Sequence, residues 1–345
     1  MIGPLLFAIS TVPSAGPPVA ALVHARDLLL ARKYVVLTRL VEDQQRAAAA
    51  NPAKEDELDW TLNAFRLTNA GVPRLINDWA AASPKSWAPL LARAVNGAVQ
   101  AGLARGERWA SETSADQFRQ MAELNAAVRA DCRRVLALNR NVCPCYRELV
   151  IAAKNDDANP AQLLKEAFGT CPRDYSLHVE YVFGLTPRWG GSYEQMGLAI
   201  ESARKAGLDE AQVRSLEGYL PIDKASRLLI ARRLDEARKV LDQAIDRSPT
   251  AILFEERAEL NYQRQDAPGA LADANAALEK SQGGWMFSAG RLTRLLIARA
   301  WAFYSLGRFE EARTDVGWAI EISPTDEQVK KWQVFVGTLP GPVKN

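Results

Sequence analysis

Four cysteines are the residues of this sequence best suited to redox or metal chemistry. They are Cys132, Cys143, Cys145 and Cys171, and only Pro144 separates the middle two. Paired zinc ligands and thioredoxin-like motifs usually have two residues between the cysteines. Three interpretations therefore stay open: structural disulfides among the four, inert buried thiols, or metal or redox work. Because Cys143 and Cys171 each precede a proline near the start of a predicted helix, those two points could lie close enough to bridge.

Two histidines, His24 and His178, are the side chains whose unperturbed pKa suits a base near neutral pH. His178 lies on a predicted helix that also carries Glu180 and Tyr181. A catalytic or metal-binding role would need convergent partners, and no spacing in the sequence supplies them. We interpret His178 as a side chain packed between helices.

No recognisable catalytic or cofactor-binding motif accompanies these residues. The sequence has neither a glycine-rich phosphate loop nor a Gly-x-Ser-x-Gly turn. We therefore predict a noncatalytic protein with no metal and no cofactor. The alternative is an enzyme, or a thiol or metal protein, whose site lies near His178, Trp189, Cys143 and Cys145.

The charge balance argues against a nucleic-acid partner. The chain has 43 Lys and Arg residues and 41 Asp and Glu residues, which gives a net charge of +2. Nucleic-acid binding needs a concentrated basic face instead. Apolar residues make up 48 % of the chain, an ordinary share for a folded protein. No stretch is long and apolar enough to span a bilayer, so membrane insertion is not expected.

Residues 1–18 form a candidate signal segment or a disordered end. Ile2 to Val12 is apolar and precedes a Pro-rich run. No Lys or Arg precedes the apolar run and Pro4 interrupts it, which is not typical of a secretory signal. Together with the even number of cysteines, this segment favours a periplasmic or secreted protein. The alternative location is the cytoplasm.

Helical periodicity dominates the rest of the chain, so the predicted fold class is all-α. Val19 to Ala50 reads as one long helix that ends at Asn51-Pro52. We divide the chain into a helical domain at 19–206, helical repeats at 207–336 and a disordered tail at 337–345.

One pattern recurs three times in the C-terminal third. Its first small residue is Ala237, Ala270 or Ala312, and a second alanine follows seven residues later in each copy. The copies are 33 and 42 residues apart. Repeats of this length are typical of stacked helical hairpins that bury their apolar faces against their neighbours. The pattern predicts an α-α superhelix, an architecture that usually binds other molecules.

These copies resemble tetratricopeptide repeats. The third copy has the residues expected at pattern positions: Ala300, Gly307, Phe309, Ala312, Ala319 and Pro324. The first two copies have Arg232 and Gln265 where the pattern has the glycine that ends the first helix. We interpret the second copy as degenerate but folded.

In this family the first helix of each unit lines a concave groove. Carried over to this sequence, the resemblance implies a partner-binding groove formed by Tyr219, Glu255, Glu259, Tyr262, Arg294, Trp301 and Tyr304. Aromatic side chains with a few charges are the mixture that anchors peptide partners. Glu255 and Glu259 would repel the acidic tails that some family members bind.

A second resemblance covers about residues 26–206. It is carried by Trp79, by Ser83-Pro84-Lys85-Ser86 and above all by the loop Pro187-Arg188-Trp189-Gly190-Gly191-Ser192. These residues resemble a bacterial domain-of-unknown-function family numbered 4034. The resemblance implies a helical domain that tetratricopeptide repeats often follow, and it implies no activity. We interpret Trp189 as a core anchor of the loop.

The predicted function is a noncatalytic scaffold that binds a peptide or helix of another protein in the repeat groove. A homodimer formed through the exposed ends of the superhelix is a further alternative. Nothing in the sequence names the partner.

Overall fold

The computed structural model describes residues 17–68, 71–106, 112–154, 161–282 and 287–338. Over these residues the chain is an all-α superhelix without strands. The helices are α1 (Pro17–Leu30), α2 (Tyr34–Ala50), α3 (Glu55–Asn63), α4 (Val72–Ala82), α5 (Ala88–Arg105), α6 (Ala115–Leu138), α7 (Cys143–Lys154), α8 (Ala161–Thr170), α9 (Tyr175–Gly184), α10 (Tyr193–Lys205), α11 (Glu210–Ile230), α12 (Leu234–Arg247), α13 (Ala251–Gln263), α14 (Ala267–Lys280), α15 (Ala289–Ser305), α16 (Phe309–Ile322) and α17 (Glu327–Gly337).

A tight backbone turn joins the two helices of each C-terminal hairpin. After α11, the Arg233 N–H donates to the Leu228 carbonyl and the Arg232 N–H to the Leu229 carbonyl, both at 2.9 Å. These paired bonds define a helix end whose central residue is left-handed. The residues at that position in the three hairpins are Arg232, Gln265 and Gly307, with φ of 58°, 59° and 74°. The turn therefore forms even where the pattern glycine is missing.

The same turn creates an N-terminal hairpin from α1 and α2. The Lys33 N–H donates to the Leu28 carbonyl at 2.9 Å, and Arg32 has a φ of 53°. The prediction of one helix from Val19 to Ala50 is therefore wrong. The sequence hides the break because an arginine takes the conformation that glycine usually takes.

In two successive hairpins, an arginine–aspartate ion pair joins the first helix to the second. Arg257 on α13 makes two hydrogen bonds to Asp273 on α14, at 2.8 and 2.7 Å. Arg299 on α15 makes the equivalent pair of bonds to Asp315 on α16, both at 2.7 Å. Since a bidentate arginine–carboxylate pair fixes geometry as well as charge, these pairs set how each hairpin packs.

The first and last hairpins of the array meet. Helix α1 packs against α16, and the Arg26 guanidinium donates to the Glu321 carboxylate at 2.7 Å and to its backbone carbonyl at 2.9 Å. Nearby, the Thr68 hydroxyl donates to the Thr325 hydroxyl at 2.6 Å. Helices α9, α10 and α11 pack on one another, so the two predicted parts form one continuous superhelix. The array curves round until its ends touch.

The chain ends lie partly outside the described residues. Residues 1–16 of the candidate signal segment and 339–345 of the predicted tail belong to this undescribed part. Pro17 and Pro18 begin α1, and Gly337 ends α17 rather than starting a disordered tail.

The left-handed turns make a testable prediction about stability. Replacing Arg232 by Gly should raise the free energy of unfolding by about 0.5–1 kcal/mol, because glycine adopts a positive φ without steric cost. The reciprocal variant Gly307→Arg should lower it by about 1 kcal/mol at a site with open space around the glycine. Urea denaturation of both variants checks this, and a destabilised Arg232→Gly protein would contradict it.

Candidate functional site

The inner face of the superhelix encloses a cavity of about 1440 Å³. Its lining comes mainly from α3, α5, α7, α9, α11, α13, α15 and α17, with Ile322 at the end of α16 and residues of the connecting loops. Alternate helices of the array contribute because each hairpin returns its second helix to the outside. The cavity is thus a direct result of repeated tight turns and of the contact between the two ends.

One side of the cavity is rich in carboxylates, and we name it the acidic wall. Its members are Glu55, Asp56 and Asp59 on α3, Glu148 on α7, Asp174 before α9, and Glu180 on α9. Asp56, Asp59, Glu148 and Glu180 line the cavity itself. Sequence analysis missed this wall, although Glu55 and Asp59 are four residues apart and so share one helix face.

Three of these carboxylates are held by groups around the start of α9. Glu55 accepts hydrogen bonds from the Tyr175 and Ser176 N–H groups at 3.2 and 3.3 Å. Asp174 caps the helix by accepting from the Leu177 N–H at 2.6 Å. Asp59 accepts from the Ser176 hydroxyl at 2.9 Å. A helix N-terminus favours negative charge, so this end of α9 stabilises the nearby carboxylates.

Two arginines partly neutralise the acidic wall. Arg147 pairs with both oxygens of Asp59 through its Nη1 and Nη2 atoms, the first at 2.6 Å. The Arg66 Nη2 donates to the Glu148 Oε1 at 2.7 Å. The Glu148 side chain is only 3 % exposed, and its Oε2 has no hydrogen-bond partner among the described residues. A buried carboxylate oxygen without a partner is unusual and costly.

Burial and mutual repulsion raise the carboxyl pKa values on this wall. Burial raises the pKa of Asp56 to about 7, with a further rise from Asp59 and a partial offset from Arg147. Burial, and then the neighbouring Asp174 and Asp59, raises the pKa of Glu55 well above its usual range. Burial also raises the pKa of Glu148. Burial is the largest cause at all three carboxyls, so the site disfavours their charged forms.

The cavity also carries an arginine cluster on α15, which is paired with Glu255. Glu255 on α13 accepts from the Arg294 guanidinium at 2.9 Å and also pairs with Arg291. The Arg291 guanidinium lies over the Tyr219 ring, 5.3 Å from its centroid. Glu256 accepts from the Ser226 hydroxyl at 3.2 Å. Because Glu255 is buried between two arginines, it anchors this cluster rather than facing a partner.

The predicted groove residues fall into two groups. Tyr219 and Arg294 line the cavity, with Glu255 directly behind Arg294. Glu259, Tyr262, Trp301 and Tyr304 lie nearer the C-terminal ends of α13 and α15, outside the cavity lining.

Aromatic contacts hold this second group in place. The Tyr262 ring makes an edge contact with the Trp301 ring at 5.1 Å. Phe335 of α17 makes an edge contact with the Tyr304 ring at 4.8 Å. The last helix therefore covers part of the groove that the repeat pattern predicts, and the open space lies towards the helix N-termini.

The loop 187–192 turns outward and does not anchor the core. Trp189 is 46 % exposed, so its predicted core role is wrong. The Arg188 guanidinium lies 4.8 Å from the Phe183 ring centroid and 5.8 Å from that of Trp189, and Arg188 lines the cavity. A Cβ at Gly191 would lie 2.2 Å from the Leu185 carbonyl oxygen, so the turn requires glycine there.

The end of the same loop starts the next helix. Gly190, which ends the short turn Pro187–Trp189, takes a left-handed conformation with a φ of 85°. The Ser192 hydroxyl caps α10 by accepting a hydrogen bond from the Gln195 N–H at 3.2 Å. These contacts give the predicted family motif a local structural role.

The cysteines form one disulfide, between Cys143 and Cys171. Cys132 and Cys145 are free and fully buried, which corrects the expectation of disulfides at those two positions. They face each other between α6 and α7, and their contact together with burial raises the pKa of the Cys132 thiol. Thiols with a raised pKa are poor nucleophiles.

His178 is packed as an interior residue. Its Nε2 lies 2.8 Å from the Pro172 carbonyl oxygen, and its ring centroid is 4.7 Å from that of Phe168. Burial lowers the pKa of His178. No set of three or more His, Cys, Asp and Glu side chains within the described ranges is arranged to hold a metal ion. No helix in those ranges has the length and apolar character to cross a membrane.

Comparisons with known proteins find similar folds at low similarity. No family model and no curated protein matches the chain, so the resemblance to family 4034 stays a prediction. Similar solved structures include the APC/C hetero-tetramer Cut9-Hcn1, with 12 % identity, a TM-score of 0.32 and coverage of 91 % of this chain and 55 % of that one.

Two further similar structures are tetratricopeptide repeat proteins. One comes from Parabacteroides merdae ATCC 43184, with 14 % identity, a TM-score of 0.32 and coverage of 94 % of this chain and 100 % of that one. The other is the P58(IPK) TPR domain, with 12 % identity, a TM-score of 0.31 and coverage of 93 % and 97 %. At these values the comparison assigns no partner and no activity.

The raised pKa of Asp56 predicts how stability depends on pH. The folded state holds a proton on Asp56 up to about pH 7, whereas the unfolded chain releases it near pH 4. The free energy of unfolding should therefore fall as pH rises between these values, by about 4 kcal/mol from this group, since each pKa unit is worth about 1.4 kcal/mol. Asp59, Arg147 and Tyr175 are the groups that interact electrostatically with Asp56.

The Asp56→Asn variant checks this prediction. It should match the wild type near pH 4, be more stable at pH 8 and show a flatter pH profile in chemical denaturation. Glu57→Gln is the matched control, since Glu57 is in the same helical turn with a side chain 45 % exposed. Equal pH profiles for Asp56→Asn and wild type would contradict the assignment.

Proposed function

We propose that this protein is a noncatalytic scaffold that holds a segment of another protein in the central cavity. The observation that carries the proposal is the cavity itself, about 1440 Å³ in volume and lined mainly by alternate helices of the array. Small-molecule pockets are usually about 300–1,000 Å³, so this space suits several residues of a peptide or one face of a helix.

The lining also supports a polypeptide occupant. It combines aromatic residues such as Tyr175 and Tyr219 with arginines and carboxylates, and aromatic and arginine side chains are the usual anchors of protein interfaces. Next to the cavity, Glu259, Tyr262, Trp301 and Tyr304 would extend the binding surface along α13 and α15. The partner would then run from the cavity towards the aromatic end of the groove.

A steric block tests the proposal. Gly290 lines the cavity at the start of α15, and a side chain added there would meet open space. The Gly290→Trp variant should therefore fold normally and reduce partner capture from native cells by at least about tenfold, a loss of about 1.4 kcal/mol. Quantitative affinity capture with wild-type and variant baits measures this.

The control for this block is Gly317→Trp. Gly317 is an exposed glycine on α16 with equally open surroundings, and it lies outside the cavity lining. If Gly290→Trp and Gly317→Trp recover the same proteins in the same amounts, the cavity has no role in binding. Tagging two copies of this chain differently shows whether the captured partner is a second copy, which is the homodimer alternative.

The disulfide supports a location outside the reducing cytoplasm, and we propose a periplasmic or secreted protein. Disulfides persist mainly in oxidising compartments. Protein isolated without reductant should show no reactive thiol when native and two when denatured, from Cys132 and Cys145. Since the disulfide joins residues 28 apart, its reduction should lower the free energy of unfolding by about 3 kcal/mol. Four thiols after denaturation would instead indicate the cytoplasmic alternative.

A further inference from the structure

The acidic wall contains more negative groups than its neighbouring arginines can neutralise. Apart from Glu180, its five carboxylates interact with two arginines, Arg66 and Arg147, among the described residues. Each buried charge without a counter-charge is strongly unfavourable. Glu55, Asp59 and Asp174 lie close to the helix N-terminus of α9, which partly compensates them. Compensation is weakest where the wall meets the cavity.

Glu148 is the clearest sign of a missing partner. Its Oε1 is bonded to Arg66, while its Oε2 accepts no hydrogen bond from the described residues. The side chain lines the cavity and is only 3 % exposed. An ionised carboxylate oxygen in such a place is best satisfied by a charged donor, whose hydrogen bonds are about twice as strong as neutral ones.

From this geometry we infer that the acidic wall binds a cationic side chain, the guanidinium of an arginine or the ammonium of a lysine, on the partner's segment. This inference rests on the proposed function and names the chemistry of its partner. The group would donate to the Glu148 Oε2 and lie close to Glu180, the carboxylate that interacts with Glu148. The segment would therefore present a basic residue to α7 and α9.

The arginine cluster on α15 also favours a partner segment with a positive charge. Arg291 and Arg294 are already paired with Glu255, so they do not form a free site for an acidic segment. An acidic segment in the cavity would be repelled by Asp56, Asp59 and Glu148 at short range. The partner's basic residue is therefore the group that the acidic wall selects.

A pair of peptides tests the inference on the unmodified full-length chain. The probes are acetylated and amidated Gly-Ala-Arg-Ala-Gly and the same peptide with citrulline, which has nearly the shape of arginine but no charge. Titration calorimetry at low ionic strength, where screening is least, should show the arginine peptide binding at least about tenfold more tightly. Equal binding of the two peptides, or no binding of either, would overturn the inference.

Two variants locate the bound cation. Glu148→Gln keeps an acceptor for Arg66 but removes the charge, and it should lose most of the preference for arginine over citrulline. Glu123→Gln, on the exposed face of α6, should keep that preference in full. An unchanged preference in Glu148→Gln would place the cation elsewhere and refute the assignment.

The outcomes separate this inference from the proposed function. If Gly290→Trp abolishes partner capture while the two peptides bind wild type equally, the scaffold proposal stands and the cationic chemistry is wrong. If the arginine peptide is preferred while Gly290→Trp captures partners normally, the wall binds cations and the cavity is not where the partner protein binds.

Discussion

Each hairpin of the C-terminal array is closed by a backbone turn in which one residue takes a left-handed conformation. Arg32 shows that the N-terminal hairpin uses the same turn. This turn fixes the direction in which each second helix returns, so the first helices of successive hairpins lie on one side. The concave inner surface and its cavity follow from that repetition. The residues that α11, α13 and α15 contribute to the cavity lie where they do because of this constraint.

The contact between the two ends of the array turns a groove into a partly open cavity. The contact of Arg26 with Glu321 joins helices at opposite ends of the chain, and Thr68 with Thr325 adds a second contact at the edge of the cavity. An open solenoid would expose its inner charges to water, where they interact weakly. In the closed array the same charges are partly desolvated, and this is why Asp56 and Glu148 have raised pKa values. Architecture and electrostatics are therefore coupled.

Local sequence patterns were sufficient for the fold class and the repeats but not for the site. Paired alanines seven residues apart predict the C-terminal hairpins, because small residues allow two helices to approach closely. The helix break at Arg32 could not be predicted from the sequence, because no glycine marks the left-handed position. The acidic wall joins residues from 55 to 180, and the closing contact joins residues 295 positions apart. No local periodicity encodes such contacts, and α17 covers Tyr304 for the same nonlocal reason.

The acidic wall is difficult to explain as a device for stability. Replacing buried charges by apolar residues of similar volume is often neutral or stabilising, and here the carboxylates also repel one another. The repeats show the contrasting case, since Arg299 and Asp315 are more deeply buried than Asp59 yet fully matched. Local departures from such matching are typical of functional sites. The contrast within one chain, matched pairs between helices and unmatched carboxylates at the cavity, is therefore the strongest structural argument that the cavity binds a cationic group.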